Sequence, residues 1–526
     1  MNPAQPFIDA CMEETDRLAI VELGGRSITR GQLVQRVFGL AEHLRANGVQ
    51  KGDHVLIQIP PGIDLSLAIL AVLWCGGVVV LLEGGVGDDV YLQRVQQLNP
   101  TWLLIHSKLV WIHRLWGVRS LLSKMEVDVP PFPKSDTTST MILSAAELQL
   151  EQESSDPVEL DEQDDALIVF TGGTTNAPKC VRYGCEALQH FLHHIHLVLG
   201  ERPINSFLAD TPPQVLYAIK MGYTAYVNKG RKLKRAINML KLIESGKIDA
   251  CFTSPYLWIE LLKSKQITRL PDSLHTIMLG SAPVTKDFLR TLKIITAPNT
   301  QILCIYGMTE VGAISVVEAT DKINWTGNGD LVGESLHPLT VHLKKDSTDS
   351  PMGEIVVHSP SLYRGYWGRE PRKQLDGLKT GDLGRWVTVG SKEMLVLEGR
   401  LKDMIIRNGF NIYPQTFEHQ LTEQFNKQAK ETIVYQTALV GVWNAEREDE
   451  DVVLFVEWAA SHKKPSAWFL SEAKTVCGHQ VAPDYFFGLE QFPVTGRQNK
   501  LDKKSLRHQA MHTLGRVDTL PSSSTQ

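Results

Sequence analysis

The chain has no large excess of positive or of negative charge. Across 526 residues, 54 Lys and Arg stand against 59 Asp and Glu, a formal charge of −5 with His neutral. That excludes binding to nucleic acid by bulk attraction to phosphates. Cysteine is equally thin. Seven cysteines, an odd number, make no disulfide framework, and Cys180 and Cys185 have no second pair at zinc-finger spacing. All seven read as reduced thiols. No basic segment leads into an apolar run at Met1 to Phe7, so no secretory leader is read there. The expectation is a cytoplasmic protein. No internal repeat is visible. The longest stretch without a formal charge, Leu65 to Leu82, is 18 residues and is split by Gly76-Gly77. It reads as a buried helix to Cys75 and a buried strand from Val78, with no membrane span.

What is present is the composition of a large globular enzyme: 43% hydrophobic and 21% charged residues. The length predicts three or four structural units. Thr29 reads as the N-cap of an amphipathic helix from Arg30 to Asn47 that ends at Gly48. His54 to Ile59 reads as a strand stopped by Pro60-Pro61. Such alternation predicts a parallel sheet covered by helices. Leu150 to Asp165 is acidic and reads as a solvated connector. A second alternating stretch runs from about Ser206 to Ser315, and short strands with frequent glycines after Val332 predict a small β subdomain. Beyond Gly399 lies a mixed α/β tail of about 120 residues, with Leu520 to Gln526 read as disordered.

Five segments carry candidate chemistry. Thr171-Gly-Gly-Thr-Thr-Asn-Ala-Pro-Lys179 follows the apolar strand Ala166 to Phe170, and a Gly/Thr loop there exposes N–H groups and hydroxyls to a polyphosphate. It lacks the G-x-x-x-x-G-K-[ST] spacing of the P-loop. Tyr306-Gly-Met-Thr-Glu310 follows the strand Gln301 to Ile305, and Glu310 at a strand's carboxyl end is a candidate Mg²⁺ ligand. Asp382, after Thr380-Gly381, has two oxygens for a ribose diol. The remaining two are Gly399-Arg-Leu-Lys-Asp403 and the basic tail around Lys500. His190, His193, His194 and His196 form a cluster with no recognised metal partner, read as a helix beside a substrate pocket.

In this order the segments resemble the adenylate-forming superfamily of AMP-binding enzymes: acyl- and aryl-CoA ligases, peptide-synthetase adenylation domains and luciferases. The resemblance runs from about Ala19 to Arg507. It includes Ser27 to Leu33, Ala46 to Asp53, Gly353 to Val357 and Tyr363-Arg-Gly-Tyr-Trp367. It implies an α/β fold: a large N-terminal domain (1–400) of two doubly wound sheets plus a small β subdomain, then a small mobile α+β domain (401–519) and a disordered tail (520–526). It further implies that Thr171, Gly172, Gly173, Thr174, Thr175 and Lys179 contact phosphates, with Tyr306 and Gly307 also in the ATP/AMP site. Thr309 and Glu310 are implied as catalytic phosphate and Mg²⁺ contacts, and Asp382 and Arg400 as ribose contacts. Lys500 is implied as the catalytic lysine, Lys402 as the hinge, and Gly409 as the wall of an acceptor tunnel. Lys503 and Lys504 read as surface charges.

The implied activity is ATP- and Mg²⁺-dependent conversion of a small carboxylic acid to acyl-AMP with release of pyrophosphate. Transfer to CoA or to the phosphopantetheine thiol of a carrier protein in trans follows, without nucleic acid or membrane span. The chain departs from the family's loop at Gly172, where serine is usual, and at Asn176 and Cys180, where glycines are usual. Three alternatives stay open: amino acid adenylation, with Ala209 or Asp210 at the amine position; β-lactone synthesis from a β-hydroxy acid, given Arg497-Gln-Asn-Lys500; and a non-catalytic relative. Pocket residues are expected in His190–His196, Leu216–Gly222, Gly280–Pro283 and Ile305–Met308.

Overall fold

The computed structural model describes residues 1–82, 88–114, 138–170, 179–200, 202–230, 232–245, 248–264, 267–345, 350–372, 377–408, 410–429, 433–458, 464–495 and 500–516. The local signals hold in it. Thr29 and Gln32 form a reciprocal capping box at the start of the helix Arg30–Ala46, which gives way at Asn47 and at Gly48 with φ 99°. The uncharged stretch becomes the buried helix Ile63–Trp74, a turn at Gly76 with φ 77°, and the strand Val78–Leu81. Among the described residues no helix is long and apolar enough to cross a membrane.

Two sheets organise the body of the chain. The smaller has seven strands in the order Gly365–Tyr366, Cys180–Gly184, Asp165–Phe170, Val78–Leu81, His54–Gln58, Trp102–His106 and Ser139–Leu143. Its last five are mutually parallel, Cys180–Gly184 is antiparallel to its neighbour Asp165–Phe170, and Gly365–Tyr366 is antiparallel to Cys180–Gly184. The larger has thirteen strands. Its parallel part runs through Gln301–Met308, Thr276–Leu279, Ala250–Thr253, Ser206–Ala209, Thr224–Val227 and Leu18–Glu22. The β region expected after Val332 is joined to this sheet edge-on. Ser315 pairs with Ser335 and Val316 with Glu334, and the strands Lys392–Arg400, Leu378–Val389, Gly353–His358 and Thr340–Lys344 continue the order. Helices Arg30–Ala46, Ile63–Trp74, Cys185–Leu199 and Pro212–Lys220 supply the core between the sheets.

The acidic connector keeps Glu151, Glu153, Asp156, Glu159, Asp161 and Glu162 exposed, as its charge suggests, while its backbone is tied to the body. Gln152 N–H donates to Gln35 O at 3.0 Å, Val158 to Trp74 O at 3.0 Å and Leu160 to Met1 O at 2.8 Å. A Cβ at Gly39 would lie 2.4 Å from Leu150 O, so glycine in the middle of the helix lets the connector lie against it. Asp165, at its end, is drawn into the smaller sheet between Arg182 at 2.7 Å and Arg364 at 3.2 Å.

The tail has cores of its own. The buried clusters before it end at Leu397, and those of the tail begin at Ile405. Its strands Val434–Asn444 and Asp449–Trp458 are antiparallel, and Tyr485–Leu489 lies parallel to the second. Helices Pro414–Ala429, Ser466–Val481 and Lys503–Thr513 accompany them.

Candidate active site

The strand Gln301–Met308 carries the site's central segment to the carboxyl end of the larger sheet. It doubles back at Thr309-Glu310 into the strand Gly312–Glu318, with Tyr306 opposite Ser315. Gly307 is required where the arms close, because a Cβ there would lie 2.2 Å from Gly312 O. Behind the turn, the Tyr183 hydroxyl donates to the Thr309 carbonyl, and Tyr363 N–H donates to Glu310 O at 2.9 Å.

Two polar groups form around this segment. At one end, Asp382 and Arg400 face each other across paired strands. The Asp382 carboxylate is 4% exposed. Its Oδ2 accepts from the Tyr306 hydroxyl at 2.8 Å, and its backbone N–H donates to Thr380 Oγ1 at 3.1 Å. Arg400 Nε sits 2.8 Å from Oδ1 as a charge partner. Oδ1 nevertheless accepts no in-line hydrogen bond among the described residues. Burial, then the adjacent Asp382 carboxylate, holds the Tyr306 phenol well above its usual range, so it remains a donor. A buried carboxylate oxygen with open acceptor capacity fits a ribose hydroxyl.

At the other end, Glu310 is 5% exposed. Its Oε1 accepts from the Tyr366 hydroxyl at 2.8 Å. Lys179 Nζ lies 3.3 Å from that same hydroxyl and 4.8 Å from the Tyr366 ring centroid. Tyr366 reaches this place because Gly365–Tyr366 pairs with Cys180–Gly184 at the edge of the smaller sheet. The site therefore bridges the two sheets. Among the described residues no three His, Cys, Asp or Glu side chains gather to hold a metal. One carboxylate with an oxygen to spare suits Mg²⁺, which keeps waters and takes its other ligands from substrate phosphates.

The remaining expected residues are distributed as follows. Residues 171–178, and with them Thr171, Gly172, Gly173, Thr174, Thr175 and Asn176, lie outside the described residues, as do Gly409 and 517–526. Cys180 is not part of a loop: it pairs with Phe170 inside the smaller sheet, and burial pushes its thiol up to about 12. Lys402 lies in the exposed turn Leu401–Asp403 that joins body to tail. Lys500 pairs with Thr495 on a two-strand ribbon. Lys503 is a correction to the reading of a surface charge. Its Nζ is 2.7 Å from Glu418 Oε1, both side chains are largely buried, and it ties the helix Lys503–Thr513 to Pro414–Ala429.

Asp210 is spent within the body. It is buried, with Oδ1 accepting from Asn228 at 3.0 Å and Arg235 Nε at 2.8 Å, and Oδ2 2.7 Å from Arg235. A substrate amine would have to displace that pair. The four histidines do lie on one helix. His194 is buried, and its Nδ1 would lie 3.2 Å from a Cβ on Gly312, so this helix packs on the strand leaving the Glu310 turn. Burial lowers His194 to about 4. Tyr366 and Tyr183 were missed by sequence reasoning as site residues. Tyr363 to Trp367 was recognised as a shared segment, but its contact with Glu310 spans 56 residues and has no local signature. A polar cleft of about 350 Å³, lined by residues including Arg202, His275, Lys293 and Glu318, opens at the other end of the Gln301–Met308 strand, and no expected site residue lines it.

A family model described as AMP-binding enzyme matches residues 7–367. A 2-succinylbenzoate–CoA ligase of Bacillus cereus is 27% identical over 427 residues, covering 77% of this chain and 80% of that protein. A long-chain-fatty-acid–CoA ligase of Bacillus subtilis is 25% identical over 459 residues, covering 79% of each. The crystal structure of ATP-bound MatB from Rhodopseudomonas palustris shares the fold, with a TM-score of 0.78 at 20% identity, over 97% of this chain and 99% of that one.

Proposed function

The chain belongs to the AMP-binding enzyme family, and from that premise we propose that it activates a small carboxylic acid with ATP and passes the acyl group to a thiol. The acid's carboxylate oxygen bonds the α-phosphorus, the bond to the β-phosphate's bridging oxygen breaks, and pyrophosphate leaves. The thiol sulfur then bonds the acyl carbon, the acyl–phosphate bond breaks, AMP leaves, and the thiol proton passes to solvent. CoA is the preferred acceptor, and the phosphopantetheine of a carrier protein in trans the alternative.

The observation that carries this reading is Asp382, buried, flanked by Arg400 and Tyr306, with one oxygen still able to accept. Asp382 and Arg400 would hold the ribose, with Tyr306 fixing the carboxylate. Thr309, Lys179 and the loop Thr171 to Thr175 would hold the phosphates. Glu310 would hold Mg²⁺, which, when bound, neutralises charge on the phosphate oxygens. Lys500 would meet the charge that gathers when one anion attacks another, a role worth about 10²–10³ in rate. The separate cores on either side of residue 400 support a small domain that turns about Lys402, exchanging Lys500 for the Gly409 face, where a pantetheine arm can pass close to backbone.

The test is Mg²⁺-dependent exchange of pyrophosphate into ATP across fatty, aromatic, β-hydroxy and amino acids. At least one acid should support exchange. If none does while nucleotide still binds, the chain is a non-catalytic relative. Exchange with amino acids alone would move the reading to amine recognition, against the Asp210–Arg235 pair.

A further inference from the structure

Lys179 and Glu310 belong to different sheets, yet a single phenol lies between them. The Tyr366 hydroxyl donates to Glu310 Oε1 at 2.8 Å, and Lys179 Nζ stands 3.3 Å from its oxygen. The ring sits under the Lys179 ammonium at 4.8 Å and against Tyr363 at 4.9 Å. The backbone around it is fixed from both sides. Arg364 N–H donates to Arg182 O at 2.7 Å, Trp367 N–H to Cys180 O at 2.8 Å, and Tyr363 N–H to Glu310 O at 2.9 Å. Ser361 Oγ donates to Val311 O at 2.7 Å just upstream. This much support makes the phenol a rigid strut.

We infer that Tyr366 is the positioning residue of the phosphate–metal end of the site. Its hydroxyl occupies one oxygen of Glu310 and leaves the other for the divalent cation, while its ring keeps Lys179 at the same place. A hydroxyl that orients a metal-binding carboxylate acts as an outer partner of the metal, and loss of such a partner typically weakens metal affinity by about 10–100-fold. The inference rests on the proposed ATP- and Mg²⁺-dependent reading of the site. It adds a residue to which neither the loop pattern nor the Tyr306–Glu310 segment points.

The test reads binding, without turnover. The full-length protein is titrated by calorimetry with α,β-methylene-ATP at fixed magnesium concentrations and constant ionic strength. Tyr366→Phe keeps the ring over Lys179 and deletes only the hydroxyl. It should raise the magnesium concentration for half-maximal enhancement of nucleotide binding by about 10-fold or more, and leave metal-free nucleotide affinity within about twofold. Adding Tyr366→Phe to Glu310→Gln should then change the magnesium midpoint no further, because the phenol acts through that carboxylate. An unchanged midpoint in Tyr366→Phe, an equal loss of metal-free and metal-dependent binding, or additive effects in the double variant would overturn the inference. If the unaltered protein shows no magnesium-dependent nucleotide binding, both this inference and the proposed function fall. If it binds but no acid supports pyrophosphate exchange, only the latter does.

Discussion

Asp382 is held by three groups at once, while Lys500 sits on a ribbon with two residues in each strand. Tyr306, Arg400 and Thr380 converge on Asp382 from the larger sheet. The ribbon of Val494–Thr495 and Lys500–Leu501 belongs to a tail whose buried clusters share no residue with those of the body. Among the described residues, polar contacts join the two parts. Thr416 Oγ1 donates to Glu398 O at 2.7 Å, Gln420 to Asn328 at 3.2 Å, and Lys263 lies 3.7 Å from Glu457 and 4.4 Å from the Tyr435 ring centroid. On the proposed reading, a group needed in every state of the nucleotide is built into the body, and one needed for a single half-reaction is carried on a part with buried clusters of its own.

Lys500→Ala should separate the two parts most sharply. Pyrophosphate exchange should fall by about 10²–10³-fold, the scale for removing a preorganised charge donor. Thioester formation from supplied acyl-AMP should fall far less. Equal losses in both assays would mean the tail does not exchange faces. Lys402→Pro addresses the same comparison at the joint. The short turn Leu401–Asp403 lies between the two sets of buried clusters, and proline in it fixes φ where rotation is proposed. Transfer should fall by about 10²-fold, the scale of a small misplacement of reacting groups, with exchange largely retained. Retained transfer would place the hinge elsewhere.

These assignments show where sequence suffices. Thr29, Gly48 and Gly76 act within a few residues of themselves, so caps and breaks were legible. Glu310 was legible as an acidic residue past a strand's end and Asp382 as a carboxylate after Thr380-Gly381, while Arg400 came only with the family resemblance. The structure sets Tyr306 and Arg400 against Asp382, and Glu310 in the turn that follows the Tyr306 strand. Tyr366 was not, because its partners come from another sheet and nothing local sets that register. Charge misled once: Lys503 is covered, because burial of a charged residue depends on what folds over it. Asp210 is one of the two residues offered for the amine position, but Arg235, 25 residues later, already holds it.

Acid should divide body from tail with opposite signs. Burial lowers His194 to about 4 in the body, with His190 and His193 nearby, and desolvation lowers His54, His106 and His193 in the same direction. As pH falls from 6.5 toward 4, the unfolded chain takes protons that these imidazoles, the buried His106 and His194 among them, refuse, so the body loses stability. His194 alone accounts for about 2 kcal/mol at pH 5. In the tail, burial raises Glu450 above its usual range despite Arg507 at 3.3 Å. The folded tail therefore takes its proton first and gains relative stability as pH falls through that range. Urea unfolding at pH 7.5 and 5, followed by hydrogen exchange in each part, should show the body weakened and the tail not. Parallel weakening would show that the two parts unfold as one. His194→Gln should remove most of the body's acid sensitivity between those two values.

The smallest effect tests the tail's own register. Lys503 and Lys504 lie three and four residues beyond Lys500, and a slipped assignment would make one of them catalytic. The Lys503 ammonium meets Glu418 at 2.7 Å, and that carboxylate also accepts Leu439 N–H at 2.7 Å. Lys503→Ala leaves Glu418 with its backbone donor but without a counter-charge in a largely covered position. The cost should lie between those of exposed and buried pairs, about 1–2 kcal/mol, read as a lower urea midpoint for the tail. Pyrophosphate exchange by the folded variant should stay within about twofold, since a stability loss of this size leaves nearly all molecules folded. Lys504→Ala, at an exposed position, should move stability by less than about 0.5 kcal/mol. A loss of exchange in either variant that Lys500→Ala does not reproduce would transfer the catalytic assignment to that lysine, and the proposed division of labour between body and tail would need a different residue to carry it.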